Sequence, residues 1–417
     1  PMNGVAVVNQ LLFVFTISIF GGVSGAGIYG AQYFGRGDHK GVRDTLRFKL
    51  LCSVVLTLVA IILFRTVDTF LISSFLHEGS QTGNIDLTLQ YGREYLSIMV
   101  WGLLPFALSQ AYSSTLREGG QTRVPMFASL MAVFINLCLN YVLIFGKLGF
   151  QAMGVRGAAI ATIIARWVEG ILIVGWTHSH ESQCPFAVGL YKNFHIPGTL
   201  VKGILKRGMP LLLNEVMWSI GMTLLAQSYS LRGLATVAAH NISSTISNMF
   251  NMTFFTLGST IAIVVGNLLG AGKMKEAKRT DTWMIVFSVM VSIAVAMVLA
   301  IASPLFPMLY DTTQEVRELA RDLLILSALF SPIHAFANAS YFTLRSGGKT
   351  VLTSIFDSGL LWCFSVPLAF FLSRYTNLPI RALYTVILSI EIIKCILGYF
   401  LVRSNMWMSN IIEQPSE

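Results

Sequence analysis

Glu215, in "RGMPLLLNEVMWSIGM", is the residue of this 417-residue chain whose setting most invites chemistry. It lies about one and a half helical turns beyond Pro210, between Leu211 to Leu213 and Val216 to Trp218. A glutamate near a helix start gains from the helix dipole and can reach the membrane interface. The apolar flanks favour a different reading, because an ionisable group inside an apolar run is costly and marks a functional candidate. One buried negative charge favours one cation at a time. Such a carboxylate can therefore exchange a proton or Na+ for an organic cation.

Other polar residues sit inside apolar runs as well. "FINLCLNYVLIFG" places Asn136 and Asn140 four residues apart, on one helix face. Their amides either bond to neighbouring helices or supply oxygens to Na+ and orient a carboxylate. His334, in "FSPIHAFANAS", follows Pro332, where a helix can kink; it is either a titrating switch or a hydrogen-bonded packing residue. Asp357, in "SIFDSGLLW", lies near the start of its span. Arg166 with Glu169, and Glu391 with Lys394, stand three residues apart, so each pair is expected to neutralise itself within its helix. Asn214, Trp218, Met222 and Asn338 are candidates for a cavity wall, and Met217, Tyr229 and Phe254 for an adaptable apolar surface beside it; for Met217, Trp218, Met222, Tyr229 and Phe254 the alternative, favoured for each taken singly, is lipid-facing packing. No P-loop, HExxH, GxSxG or CxxC occurs. His178 and His180 alone are too few for zinc, and five scattered cysteines suggest neither disulfides nor a metal. Neither an enzyme nor a cofactor is expected.

The elements that hold these residues must be membrane helices. Hydrophobic residues make up 54% of the chain and charged ones 12%, with a mean hydropathy of +0.67. A span needs about 20 apolar residues, and alternating barrel strands are absent. Apolar runs predict spans at 5–34, 46–65, 92–116, 124–145, 157–176, 210–231, 235–269, 282–303, 318–344, 351–373 and 380–402. The fold class is all-α, as a multi-pass protein of two helical bundles. Residues 1–177 would form the first bundle, 178–207 a cytoplasmic connector, 208–403 the second bundle and 404–417 a cytoplasmic tail. One set of alternate connections carries eighteen Lys and Arg, among them Arg117, Arg123, Lys273 and Arg345; the other carries nine. By the positive-inside rule the richer set is cytoplasmic, and with it the C-terminus. The net charge of +9 is then explained without nucleic acid.

A repeat organises the chain. "LREGGQTRVP" (116–125) returns as "LRSGGKTVLT" (344–353), and "QYFGRGDHKGVR" (32–43) as "NLLGAGKMKEAK" (267–278). At nearly constant offset the two motifs imply parallel halves. The second half then has six spans and the first five, and the partner of span 210–231 falls upstream of residue 1, so twelve spans are expected in a full-length form.

With these motifs in order, together with "GVRGAAIAT" and "RGMPLLLNEVMWSIG", the chain resembles the multidrug and toxic compound extrusion (MATE) transporters over essentially its whole length. The resemblance implies two six-helix bundles around a central cavity. It also implies alternating-access export of cationic or amphipathic compounds from the cell in exchange for Na+ or H+. Glu215 would be the coupling glutamate of the second bundle, and Asn136, Asn140 and Thr162 would form the ion site of the first. In place of the aspartate that some members carry ten residues before the second Leu-Arg motif stands His334. The acidic residue usual in the first helix would lie upstream. The expected partners are small organic cations and the lipid bilayer of the plasma membrane, for a monomer. A flippase for lipid-linked oligosaccharides, of related fold, would need a cationic cavity, whereas most Lys and Arg here lie in loops. A membrane-embedded transferase would need a polar cluster at one membrane face.

Overall fold

The computed structural model describes residues 2–66, 68 and 85–413. Among the described residues all regular secondary structure is helical. The helices are α1 (Met2–Arg36), α2 (His39–Thr66), α3 (Ile85–Met99), α4 (Leu103–Glu118), α5 (Arg123–Phe145), α6 (Val155–Ser179), α7 (Gly198–Ser230), α8 (Leu234–Gly270), α9 (Met274–Ala302), α10 (Gln314–Ser346), α11 (Thr350–Ser354), α12 (Val366–Tyr375) and α13 (Ile380–Arg403). A single tight turn, Val100–Gly102, joins α3 to α4 as one span. Two π-helical stretches, Ile355–Gly359 and Leu361–Ser365, join α11 to α12 as another. Among the described residues eleven helices are long and apolar enough to cross a membrane, in the order that the apolar runs predict. Membrane helices satisfy every backbone N–H and C=O internally, which is why the apolar runs become helices and nothing else.

The chain divides into two compact units, residues 1–208 and 209–417, with the boundary inside α7. In the first unit, Ile19, Leu96, Met99, Leu103 and Ala107 form one buried cluster. Val42, Leu46, Tyr112 and Leu116 form another with Cys184, Phe186 and Leu190. The stretch read as a connector is therefore partly structured. Arg47 donates to the carbonyls of Leu190 (2.9 Å) and Gly189 (2.8 Å), Arg43 donates to that of Phe186 (3.2 Å), and α7 has already begun at Gly198. Burial pushes the Cys184 thiol up to about 11, so it stays a neutral packing group. In the second unit, Leu323, Leu324, Leu383 and Ile387 pack in one cluster, and Ile261, Phe342, Leu344 and Trp407 in another. The segment after α13 is likewise packed. Trp407 is buried and donates from Nε1 to the carbonyl of Val402 (2.9 Å); residues 414–417 lie outside the described residues.

The repeated motifs fold into matching turns. Gly37 and Gly272 take φ of +75° and +74°, and Gly120 and Gly348 take +79° and +73°, a region that glycine enters without steric cost. The hydrogen bonds coincide too. Gly37 N–H donates to Phe34 O at 3.0 Å as Gly272 N–H does to Leu269 O at 3.1 Å, and Gly120 N–H donates to Arg117 O at 3.0 Å as Gly348 N–H does to Arg345 O at 2.9 Å. The repeated motifs thus share one backbone geometry in the two units.

Candidate ion-coupling site

In the second unit the polar side chains meet where the helix geometry is irregular. Pro210 sits inside α7 and cannot donate a backbone hydrogen bond. The span facing this part of α7 is wound as the two π stretches, a winding that recurs at functional sites. Asn214, 2% exposed, packs against it. The Ser358 N–H donates to Asn214 Oδ1 (3.2 Å), Ser358 Oγ donates to the same oxygen (2.6 Å), and Asn214 Nδ2 donates to Asp357 Oδ2 (3.0 Å). Ser354 Oγ donates to the Pro210 carbonyl (2.8 Å), and Trp362 Nε1 donates to that of Met217 (2.9 Å). α7 is thereby stitched to the π-wound span from Pro210 to Met217. Asn214, expected on a cavity wall, is instead a buried hydrogen-bond hub, because the π winding presents an N–H for its amide to accept.

From Asp357 the network continues into α13. Lys394 Nζ lies 3.1 Å from Asp357 Oδ1 and 3.3 Å from Glu391 Oε1, with its side chain 8% exposed. The expected Glu391–Lys394 pair is present, but it is one edge of a larger cluster. His334 Nδ1 is 3.8 Å from Glu391 Oε2. Glu215, one residue beyond Asn214, is partly buried, and among the described residues no side chain hydrogen-bonds or pairs with it directly. The charges that act on it are Arg345, attractive, and Asp357, repulsive. Arg345, read from the sequence as a loop anchor, lies in the last turn of α10 and over the Phe342 ring at 5.4 Å. Asn338 Oδ1 is buried without a hydrogen-bond partner and faces Gly258. Met217, Trp218 and Met222 are exposed, whereas Tyr229 and Phe254 belong to the packed interior of the unit; the expectation of an adaptable surface fails for those two, which helix packing turns inward.

In the first unit the three residues singled out by resemblance come together. Asn140 Nδ2 donates to Asn136 Oδ1 (2.9 Å), Asn136 Nδ2 donates to Thr162 Oγ1 (3.3 Å), and Thr162 Oγ1 donates to the Ala158 carbonyl (2.9 Å). Asn140 Oδ1 is buried with no hydrogen-bond partner. A buried orphan oxygen on an otherwise satisfied polar chain has the character of a ligand for a hard cation. Arg166 and Glu169 do not neutralise each other as the spacing suggests. Arg166 lies over the Phe106 ring (5.1 Å), with Nη1 3.5 Å from the Gly102 carbonyl, while Glu169 accepts from Ser129 Oγ (2.6 Å).

Sequence reasoning missed the buried ion pairs of the first unit, Arg47–Asp44 and the more enclosed Lys49–Glu118. Lys49 Nζ contacts Glu118 Oε1 (2.6 Å) and Oε2 (2.8 Å), with Ser114 and Thr115 completing its shell. The side chains are 0% and 4% exposed. Lys49 lies near the start of predicted span 46–65 and Glu118 just past the end of span 92–116, and neither stands out as an isolated charge. The available signal was Gly27 and Gly30 on α1: a methyl on Gly30 would overlap Glu118 Oε2, so α1 needs small residues to admit the carboxylate.

Comparison with known proteins agrees with this architecture. The sequence profile of the MatE family matches residues 1–142 and 210–371. A probable multidrug resistance protein NorM of Thermotoga maritima is 26% identical over 408 residues, covering 97% of this chain and 85% of that protein. A probable multidrug resistance protein YoeA of Bacillus subtilis is 25% identical over 383 residues, covering 90% of this chain and 79% of its own length. The structure of an outward-facing multidrug resistance MATE family transporter of the MOP superfamily superposes with a TM-score of 0.87 at 19% identity, over 97% of this chain and 87% of the other.

Proposed function

The chain belongs to the MatE family, a family of multi-pass membrane transporters, and from that premise we propose that it exports organic cations and amphipathic drugs from the cell by alternating access, in exchange for an inward-moving cation. The names of its relatives support drug export. One observation carries the exchange: Glu215 is a partly buried carboxylate in an apolar helix, with no hydrogen-bond or ion-pair partner among the described residues. A desolvated carboxylate left without a fixed partner is suited to a mobile one. Bound to an organic cation it is neutralised from one side, and bound to a proton or Na+ it is neutralised from the other. The two cannot both be held at full strength by a single charge, and that competition is the basis of exchange. The neutral Asn136, Asn140 and Thr162 chain serves as a second ion contact in the first unit, through the free Asn140 oxygen. The turns bearing Arg117, Arg123 and Arg345, and the C-terminus, face the cytoplasm.

The test is efflux of a fluorescent monovalent organic cation from cells or proteoliposomes carrying the transporter. With an imposed ion gradient, Glu215→Gln is expected to lower gradient-driven efflux more than tenfold while the protein keeps its folded elution profile. Unchanged gradient-dependent efflux in that variant would remove Glu215 from the mechanism.

A further inference from the structure

Between α10 and α13 of the second unit lies an open groove of about 500 Å3, a size found among ligand sites. Along most of its length the walls are apolar, with Ile325 and Leu326 on α10 and Ala382 and Val386 on α13. Ile325 and Val386 are exposed, whereas Leu323, Leu383 and Ile387 of the same helices belong to a buried cluster, so the groove opens on the outer surface of the bundle. Thr385, also in the wall, donates from Oγ1 to the Arg381 carbonyl (2.8 Å), which leaves no free donor there. Asp322 pairs with Arg381, and five residues on, the hydroxyls of Ser327 and Tyr384 hydrogen-bond at 3.0 Å. The two contacts come in the same order along both helices, so the charges stand at one end of the groove and the apolar residues follow.

That end is cationic. Arg381 Nη2 lies 2.6 Å from Asp322 Oδ2, and Arg321 donates from Nε (3.2 Å) and Nη2 (3.1 Å) to Asp322 Oδ1. Two guanidiniums and one carboxylate leave one positive charge. These contacts occupy a minority of the five N–H donors that each guanidinium carries, and both arginine side chains are exposed. The lengths of the helices set the depth. α10 has 33 residues, about 50 Å at 1.5 Å per residue, against roughly 30 Å for a hydrocarbon core. Its first two turns therefore extend past the core. Arg321 and Asp322 come at the level of the head groups, beside Arg381 in the first turn of α13.

We propose that this groove holds one anionic phospholipid, with its phosphate at Arg381 and Arg321 and one acyl chain along Ile325, Leu326, Ala382 and Val386. A phosphodiester carries a single negative charge, which the single positive charge of the mouth neutralises. Asp322 fixes where the two guanidiniums stand, and a held guanidinium presents paired N–H donors to phosphate oxygens. The apolar walls alone would not select a lipid, because the surrounding tails solvate an acyl chain as well as Leu does. Selection therefore rests on the head group, and the groove gives the chain a fitted place beside it. A zwitterionic lipid would bring an ammonium next to two guanidiniums, and free phosphate has nothing to lay in the groove. Bound there, the lipid bridges α10 to α13 on the outer surface of the unit.

The experiment uses the full chain, purified in detergent and stripped of lipid, with phospholipids of identical tails added back and the bound lipids counted by native mass spectrometry. Phosphatidylglycerol is expected to fill its tightest site severalfold more tightly than phosphatidylcholine. Arg381→Gln leaves Asp322 paired with Arg321 and the mouth neutral. It is expected to weaken that site about tenfold, the scale of a hydrogen bond to a charged group, and to remove the preference between the two lipids. Ala382→Trp fills the groove and keeps both arginines; it is expected to weaken the site severalfold, which a site made of surface charge alone would not show. Inorganic phosphate at the concentration of the lipid is expected not to compete. Equal affinity of the wild type for the two lipids, or an unchanged tightest site in either variant, overturns the proposal. Displacement of the lipid by inorganic phosphate at equal concentration overturns it as well, because the site would then recognise phosphate without the chain.

Discussion

Under the first Leu-Arg turn the protein buries an ion pair, Lys49 with Glu118; under the second it buries Asp281 with Thr343. At the repeat offset, Thr115 of the first unit corresponds to Thr343, but Glu118 corresponds to Ser346 and Lys49 to Met284. The backbone of the turn is the same in both units, to within 6° in φ at its second glycine. The charges beside it are therefore not what forms it. Further into the spans the contrast reverses. The first unit assembles neutral amides and a hydroxyl, Asn136, Asn140 and Thr162, whereas the second assembles Glu215, Asp357, Glu391 and Lys394 around a π-wound helix. A saturated pair at a turn fastens helices. A cluster with an unmatched charge beside irregular backbone has something left to bind.

Paired substitutions set the two kinds of charge against each other. Lys49→Met and Lys394→Met each strand buried carboxylates, and each is expected to cost about 3–5 kcal/mol of stability, read as a fall in thermal midpoint in detergent. Rescue separates them. Adding Glu118→Ser to Lys49→Met, which copies the second unit, is expected to restore both stability and transport. Adding Asp357→Asn and Glu391→Gln to Lys394→Met is expected to restore stability without transport; if transport returned as well, the functional asymmetry of the units would be refuted. Glu215→Gln, at more than tenfold in gradient-driven efflux, should exceed Asn140→Ala, for which a fewfold loss is expected in the same assay. An equal loss would make the first unit an equal partner in coupling.

Two smaller effects probe the backbone. Gly30→Ala would push a methyl into the Glu118 carboxylate and should cost about 1–3 kcal/mol. The equivalent position of the second unit already holds a buried valine, Val265, so Val265→Ala should show only the milder loss of truncation. Gly120→Ala and Gly348→Ala should each cost about 1 kcal/mol, and equally, because both glycines hold the same left-handed turn. A clear inequality in thermal midpoint would mean that the two turns bear different loads.

Much of this was legible in the chain itself. Spans such as 380–402 announce themselves by length and hydropathy, since a bilayer leaves the backbone no alternative to helix. The duplicated glycine motifs gave the parallel repeat before any coordinate did, because a left-handed turn leaves a glycine signature. Glu215 stood out as an isolated charge in an apolar run. The same criterion passed over Lys49 and Glu118. Both lie near helix ends, and whether a helix end is exposed depends on what another helix lays over it; here α1 does so at Gly27 and Gly30. It also misjudged Arg166, whose i, i+3 neighbour Glu169 was taken by Ser129 of α5. Asn214 looked like one more polar residue beside Glu215, and nothing local foretold the π winding that made it a hub.

By itself, then, the sequence determined the membrane class, the helices, the repeat and the residue whose isolation calls for an ion. All of these follow from local composition and from solvent. The tertiary structure alone decided which charges neutralise one another, because ion pairing across helices depends on distances of a few ångströms between residues such as Asp357 and Lys394. Those distances are set by packing, and a linear pattern does not contain them.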